Sequence, residues 1–169
     1  MIRVGTGFDV HRFSEADKGH PLILMGVTVP FDRNLKGHSD ADVMIHALMD
    51  ALLGAAGLGD IGQHFPDTDP RYSGIASTEL LSRVVASLEA KGWKTVNADV
   101  GLIGELPKIS PYRQAMRDKI APILGIDPDA LNVKATTTEK LGFLGRGEGL
   151  AAQAVALVGR VLLPRPWRS

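Results

Sequence analysis

Asp9 and His11 stand two residues apart in the stretch GFDVHRF, among apolar neighbours. Alternate side chains of a β-strand share one face, so a strand here sends the carboxylate and the imidazole to one side and Phe8 and Val10 to the other. A second histidine, His46, lies inside the apolar stretch DVMIHALMDALLGAAG, with Asp42 and Asp50 four residues to either side. On a helix that spacing makes one narrow polar stripe. A helix otherwise so apolar is buried, and its stripe must meet polar groups. The Asp9/His11 face is the matching surface. Two imidazoles and a carboxylate form a three-ligand set, the number of protein ligands that catalytic zinc sites commonly use while leaving one position open. Asp42 or Asp50 would then hold a ligand imidazole's outer N–H. The plain alternative is two unrelated histidines, each hydrogen-bonded near the core.

Anion chemistry is indicated at two further places. KGHSDAD puts His38 and Ser39 at the start of the long helix, where free N–H groups and the helix dipole favour negative charge. Ser39 is also the expected N-cap. The stretch ATTTEKLGFLGRGEG gathers three threonine hydroxyls, Glu139, Lys140, Arg146 and four glycines. Glycines let backbone amides approach a ligand, and a carboxylate beside hydroxyls suits Mg²⁺ or Mn²⁺ on a diphosphate. Thr136 and Glu139 equally fit a T-x-x-E capping box. The stretch does not match the G-x-x-x-x-G-K-[ST] phosphate loop. In GDIGQHFPDTDP, Asp60, Asp67 and Asp69 read locally as turn acids, and Lys108 in GELPKISP as a solvated cation.

These residues need a scaffold. Residues 1–13 read as a strand, and 21–31 as two short apolar strands broken at Gly26. A helix is expected from the Ser39 cap to Gly54 or Gly57, then a loop with one helical turn, then a helix over Ser77–Lys91 stopped by Gly92. WKTVNADVGLIG reads as a strand, a further helix starts at about Pro111 with Pro122 in its last turn, LNVKATTT is a strand, and GLAAQAVALVGRVLL a closing strand. Strands and helices alternate without a strict βαβ rhythm, which predicts an α+β sheet covered on one face by helices. At 169 residues, the expectation is one domain over 1–160 with a loose tail over 161–169. There are no cysteines, which excludes disulfides, thiolate nucleophiles and Cys-ligated zinc. Nineteen basic and nineteen acidic residues balance, giving no general field for nucleic acid or membrane. No leader or spanning run is apparent, so a soluble cytoplasmic protein is expected.

The stretches GFDVH, HSDADV, HALMDALLGAAGLGDIGQHFPDTDP, DVGLIGELPKISP and NVKATTTEKLGFLGRGEGLAAQAVAL together resemble one family. It is the 2-C-methyl-D-erythritol 2,4-cyclodiphosphate synthase family of non-mevalonate isoprenoid biosynthesis. The likeness runs in order from about Arg3 to about Leu157. It implies an α+β fold with a four-stranded mixed sheet and helices on one face, assembled as a homotrimer with active sites between subunits. It also implies a phosphorus–oxygen lyase reaction. The 2-phosphate of 4-diphosphocytidyl-2-C-methyl-D-erythritol 2-phosphate attacks the β-phosphorus, closing a cyclic diphosphate and releasing CMP.

By the same resemblance, Asp9, His11 and His46 hold Zn²⁺, and Glu139 holds Mg²⁺ or Mn²⁺ on the substrate diphosphate. His38 and Thr137 stabilise the transition state, and Ser39 contacts substrate. Asp60, Ile61 and Gly62, then Phe65, Pro66, Asp67, Thr68 and Asp69, fall where the family holds methylerythritol phosphate. Gly104, Glu105, Leu106, Pro107, Lys108, Ile109 and Ser110 match the cytidine-binding segment. Thr136, Thr137, Thr138 and Glu139 match the diphosphate segment, and Phe143 and Arg146 further substrate contacts. Arg146 also belongs near a trimer-axis cavity that could take an isoprenoid diphosphate. No nucleic-acid or membrane partner is implied. Two other readings compete: a zinc phosphoesterase, which needs a general base such as Asp50, and a non-catalytic binding module with a structural metal.

Overall fold

The computed structural model describes residues 1–14 and 21–160. The expected tail over 161–169 and most of the loop before Pro21 lie outside them.

A single four-stranded sheet organises the described residues, built from β1 (Ile2–Arg12), β4 (Lys94–Ile103), β5 (Leu131–Thr136) and β6 (Gly149–Gly159) in the order β1-β6-β4-β5. β6 runs antiparallel to both β1 and β4, while β4 and β5 are parallel, so the sheet is mixed. The parallel pair needs a crossover, which α4 (Arg113–Leu124) supplies after a 3-10 turn at Ser110–Tyr112. β2 (Leu22–Leu24) and β3 (Val27–Val29) form a separate hairpin. Its two-residue turn has positive φ at both Met25 and Gly26, the handedness that matches strand twist.

Helix α1 (Val43–Ala56) lies on β1, β6 and β4, with α3 (Ser77–Ala90) against it and α4 against α3 and β5. Its Val43, Met44, Ile45, Leu48, Met49, Leu52 and Leu53 are fully buried. α1 reaches the sheet closely because β1 is cut away beneath it. A Cβ on Gly5 would sit 2.1 Å from the Ala51 carbonyl oxygen, and one on Gly7 1.9 Å from that of Ala47. Helix backbone therefore rests on strand backbone, and His46 is carried to the level of Asp9 and His11.

The opposite sheet face is bare. Ile2, Val4, Phe8 and Val10 on β1, Val96 on β4 and Val155 on β6 are all exposed. The expected one-sided layering is present, and the alternation of β1 is as read from GFDVHRF.

The start of the long helix differs from expectation. Asp42, not Ser39, is its N-cap: the Asp42 Oδ1 accepts from the Ile45 N–H at 3.1 Å, and the helix begins at Val43. No acid lies in its first turn. The capping box at Thr136 is absent as well. Thr136 ends β5, Glu139 and Lys140 have positive φ, and the short helix α5 (Gly142–Gly145) starts only beyond them.

Candidate metal centre and active site

The two ends of the polar question meet. His11 Nε2 lies 2.9 Å from Asp9 Oδ2, His46 Nδ1 lies 3.0 Å from the same oxygen, and the two ring nitrogens are 3.1 Å apart. The strand sets the first pair and α1 brings the third. Side-chain exposures of 25%, 17% and 11% for Asp9, His11 and His46 leave the cluster open on one side only. Burial alone would raise the Asp9 carboxyl, but hydrogen bonds to the two imidazoles outweigh it and hold the group far below the usual carboxylate range. Burial would lower His11, yet the Asp9 carboxylate more than offsets that and raises it.

The donor set fits a metal ion. The His11 Nδ1 faces the Lys36 carbonyl oxygen at 2.8 Å, an acceptor, so Nδ1 carries a proton and Nε2 is the nitrogen left to ligate a metal ion. Tetrahedral zinc with ligand distances of about 2.0–2.2 Å needs donor atoms about 3.3–3.6 Å apart, so the observed spacing must open by only a few tenths of an ångström. Among the described residues this is the one cluster of three His, Asp or Glu side chains with such geometry.

Asp42 and Asp50 do not hold the imidazoles. Asp42 is fully buried, with its Oδ2 accepting from the Gly26 N–H at 2.7 Å, and so ties the hairpin turn to α1. Burial pushes its carboxyl up to about 6, against the pull of those backbone amides. Asp50 accepts from the Ile61 N–H at 2.8 Å, and burial raises its carboxyl too. The outer partners of the imidazoles are Lys36 by its carbonyl and, on His46 Nε2, the hydroxyls of Ser77 at 3.0 Å and Ser39 at 3.1 Å.

A cavity of about 450 Å³ opens beside the cluster. Of the residues singled out from the sequence, His11, His38, Ser39, His46, Ile61, Gly62, Phe65, Pro66 and Asp67 line it. Tyr72 and Met49 also line it and were not expected from any motif. Asp60 caps the short helix α2 (Ile61–His64) through the Gln63 N–H at 2.9 Å, and Asp69 grips Arg71 through both carboxylate oxygens. The turn reading of those acids is thus correct locally, while the loop they shape forms the cavity wall. Thr68 lies between them on the surface.

The remaining expected residues assemble elsewhere. Glu105 Oε1 accepts from the N–H groups of Thr138 and Lys140, each at 3.1 Å, which binds the Gly104–Ser110 segment to Thr136–Glu139. The Gly104 N–H also bonds the Thr136 carbonyl at 3.0 Å. Thr137 Oγ1 donates to Glu139 Oε1 at 3.1 Å. In the former segment Leu106 and Lys108 are exposed, Pro107 is half-buried and Ile109 is buried. Phe143 is exposed on α5, and Arg146 pairs with Glu148 at 2.7 Å. This second assembly sits at the ends of β4 and β5, and none of it lines the cavity beside the metal cluster. With strands about 4.8 Å apart, β1 and β5 at opposite edges are separated by roughly 14 Å.

The YgbB family matches residues 2–159. The chain belongs to that family. Among its members, the 2-C-methyl-D-erythritol 2,4-cyclodiphosphate synthase of Desulfatibacillum aliphaticivorans is 60% identical over 155 residues, covering 92% of this chain and 98% of its own length. The bifunctional IspDF of Campylobacter jejuni has a TM-score of 0.90 at 45% identity over 95% of this chain, which spans 43% of that longer chain. The IspF of Plasmodium falciparum, solved as a CDP complex, has a TM-score of 0.81 at 32% identity, covering 94% of this chain and 96% of that one. The family's α+β fold with a four-stranded mixed sheet is the fold described above.

Proposed function

We propose that the chain is a 2-C-methyl-D-erythritol 2,4-cyclodiphosphate synthase, a phosphorus–oxygen lyase of isoprenoid biosynthesis acting in the cytoplasm as one domain over residues 1–160. The convergence of Asp9, His11 and His46 beside a cavity, in a chain of this family, carries the reading. The substrate is 4-diphosphocytidyl-2-C-methyl-D-erythritol 2-phosphate. Its 2-phosphate oxygen bonds to the β-phosphorus as the bond from that phosphorus to the CMP oxygen breaks, and CMP leaves. No water enters.

Two anionic groups must be brought together, so positioning and charge neutralisation dominate. Asp9, His11 and His46 would hold Zn²⁺, and Glu139 would hold Mg²⁺ or Mn²⁺; the two cations supply Lewis-acid neutralisation of the phosphates. The cavity loop with Ile61, Gly62, Phe65, Pro66 and Asp67 holds the methylerythritol phosphate, and Asp60, Thr68 and Asp69 shape it. His38 and Thr137 donate hydrogen bonds as charge shifts, and Ser39 contacts the substrate at the cavity. Gly104–Ser110 take cytidine. Thr136, Thr137 and Thr138 orient the diphosphate, with Thr137 donating to it, and Phe143 and Arg146 complete the contacts.

Because the cytidine and diphosphate segments lie at the far edge of the sheet from the metal cluster, the complete site forms between subunits of a homotrimer. The bare apolar face supports that assembly, which would bury Ile2, Val4, Phe8, Val10 and Val155. The trimer axis leaves room for an isoprenoid diphosphate near Arg146. A hydrolytic zinc enzyme would need a free base at the cluster, and Asp50, the candidate, is held by the Ile61 N–H.

Incubation of the substrate with the protein, Zn²⁺ and Mg²⁺, followed by ³¹P NMR, tests the proposal. A coupled pair of cyclic diphosphate signals with CMP is the expected outcome. Inorganic phosphate would mean hydrolysis, and an unchanged spectrum with the metal-loaded protein would mean a binding module.

A further inference from the structure

Ser77 is buried at the first turn of α3, 31 residues from His46, and belongs to no motif. Its Oγ lies 3.0 Å from His46 Nε2. Behind it stands Asp40, which clasps Ser77 twice: one carboxylate oxygen takes the Ser77 hydroxyl in a short hydrogen bond, the other takes the Ser77 N–H at 3.0 Å. An ionised carboxylate only accepts, and a serine hydroxyl has one proton to give. That proton is committed to Asp40, so Ser77 shows His46 a lone pair. His46 must answer with an N–H at Nε2, which leaves Nδ1, beside Asp9 and His11, as the nitrogen that can ligate a metal ion. Asp40 thus determines, through a hydroxyl, which nitrogen of His46 can ligate.

We infer that Asp40 and Ser77 are positioning residues for the metal centre, a carboxylate–hydroxyl–imidazole relay that fixes the tautomer and ring orientation of His46. The inference rests on the zinc reading above and deepens it. The relay also separates the two serines at His46. Ser39 Oγ lies 3.1 Å from the same nitrogen and accepts from the Ala41 N–H at 3.3 Å. Its own proton can reach Ser77 Oγ at 3.5 Å or point into the cavity it lines. The competing account is structural: α3 has no capping side chain at Ala76, and Asp40 caps it from a distance through the Ser77 N–H. Capping predicts lost stability when Asp40 or Ser77 changes, but no specific effect on zinc.

The polarity of the relay separates the two accounts. In Asp40→Asn, an amide oxygen kept on the Ser77 N–H turns the NH₂ group toward Ser77 Oγ, at the expense of the longer Asp42 N–H bond at 3.3 Å to that same position. The serine proton then swings to His46 Nε2 and favours the tautomer protonated at Nδ1, blocking the ligand atom. Ser77→Ala merely removes the hold on the ring. Zinc affinity, measured by competition with a chromophoric chelator near neutral pH, should fall about 10- to 100-fold in Ser77→Ala. It should fall further in Asp40→Asn and return to the Ser77→Ala level in the double variant, where no hydroxyl transmits the reversal. Melting temperatures of all three follow stability separately. Unchanged zinc affinity in both single variants, with lowered melting temperatures, would overturn the relay and leave the cap. Should the variants fail to fold, ¹H–¹⁵N correlations of the His46 ring in the metal-free wild type decide alone: a proton on Nε2, with or without a second one on Nδ1, supports the relay, and a proton on Nδ1 alone overturns it. Failure of wild type to bind zinc would defeat the zinc reading itself, while the tautomer would still report on the relay.

Discussion

His46 is where strand and helix chemistry meet, and its removal is the simplest probe of the metal cluster. His46→Ala should abolish stoichiometric zinc by elemental analysis and lower turnover at least about a hundredfold, because two ligands cannot hold the ion where positioning dominates. Far-ultraviolet circular dichroism should be unchanged; turnover at wild-type level in zinc-free protein would refute the metal role. Glu139→Gln should retain zinc but shift the Mg²⁺ or Mn²⁺ dependence of turnover to higher concentration, and an unshifted titration would remove Glu139 from that role. Asp42 makes a different prediction. Its folded carboxyl stands at about 6, above the ordinary 3.8, so the folded state holds its proton more tightly than the unfolded state does. That contribution to stability is full below about pH 4 and is lost as pH rises to about 6, amounting to about 3 kcal/mol. Urea unfolding of wild type without added metal should therefore show stability falling across that window relative to Asp42→Asn. Parallel pH profiles for the two proteins would mean that the backbone amides at Gly26 and Ile45 already compensate the buried charge.

At the scale of elements, the cluster depends on how closely α1 approaches β1. Gly7→Ala places a methyl group 1.9 Å from the Ala47 carbonyl oxygen, and backbone cannot yield there without moving the helix. The expected cost is about 3 kcal/mol or more, lowering the melting temperature by roughly 6–12 °C and weakening zinc as His46 is pushed from Asp9. Gly101→Ala on the other sheet face meets the aliphatic stem of Lys134 at 3.5 Å and the Gln153 carbonyl oxygen at 3.9 Å, both ordinary contacts, and should leave both properties near wild type. Much of this geometry was legible in the sequence. The two-residue spacing of Asp9 and His11 and the apolar run around His46 fixed a strand, a helix and their facing sides. Periodicity could not show that Asp42 caps the helix in place of Ser39, because both residue types suit a cap and the choice depends on the distant Gly26 turn. Nor could it find Ser77 or Tyr72. A hydroxyl at a helix start and an aromatic in a loop carry no local mark of what they will face. Thr136 and Glu139 matched a capping box, yet their backbone follows the end of a parallel strand and the grip of Glu105, so local pattern yielded to tertiary contacts.

At the scale of the whole molecule, one chain holds both halves of the proposed site at opposite edges of its sheet. Asp9, His11 and His46 lie by β1, and Thr137 and Glu139 follow β5. Phe8→Glu, on the bare face, should dissociate the proposed trimer to monomers in sedimentation velocity, while each monomer should still bind zinc because the three proposed ligands come from one chain. Its turnover should be lost. The more discriminating test mixes two proteins at a Mg²⁺ or Mn²⁺ concentration too low for Glu139→Gln to turn over. If each site joins the metal cluster of one subunit to the Glu139 segment of its neighbour, unfolding and refolding His46→Ala with Glu139→Gln creates sites that carry neither defect. In an equal mixture the site needs the Glu139→Gln chain on the cluster side and the His46→Ala chain on the other, which chance supplies in about one site in four of a cyclic trimer. Activity should therefore recover to about a quarter of wild type from parents that have almost none. If the two halves instead met within a single chain, every site in the mixture would carry one lesion, and no activity would return however the chains assembled.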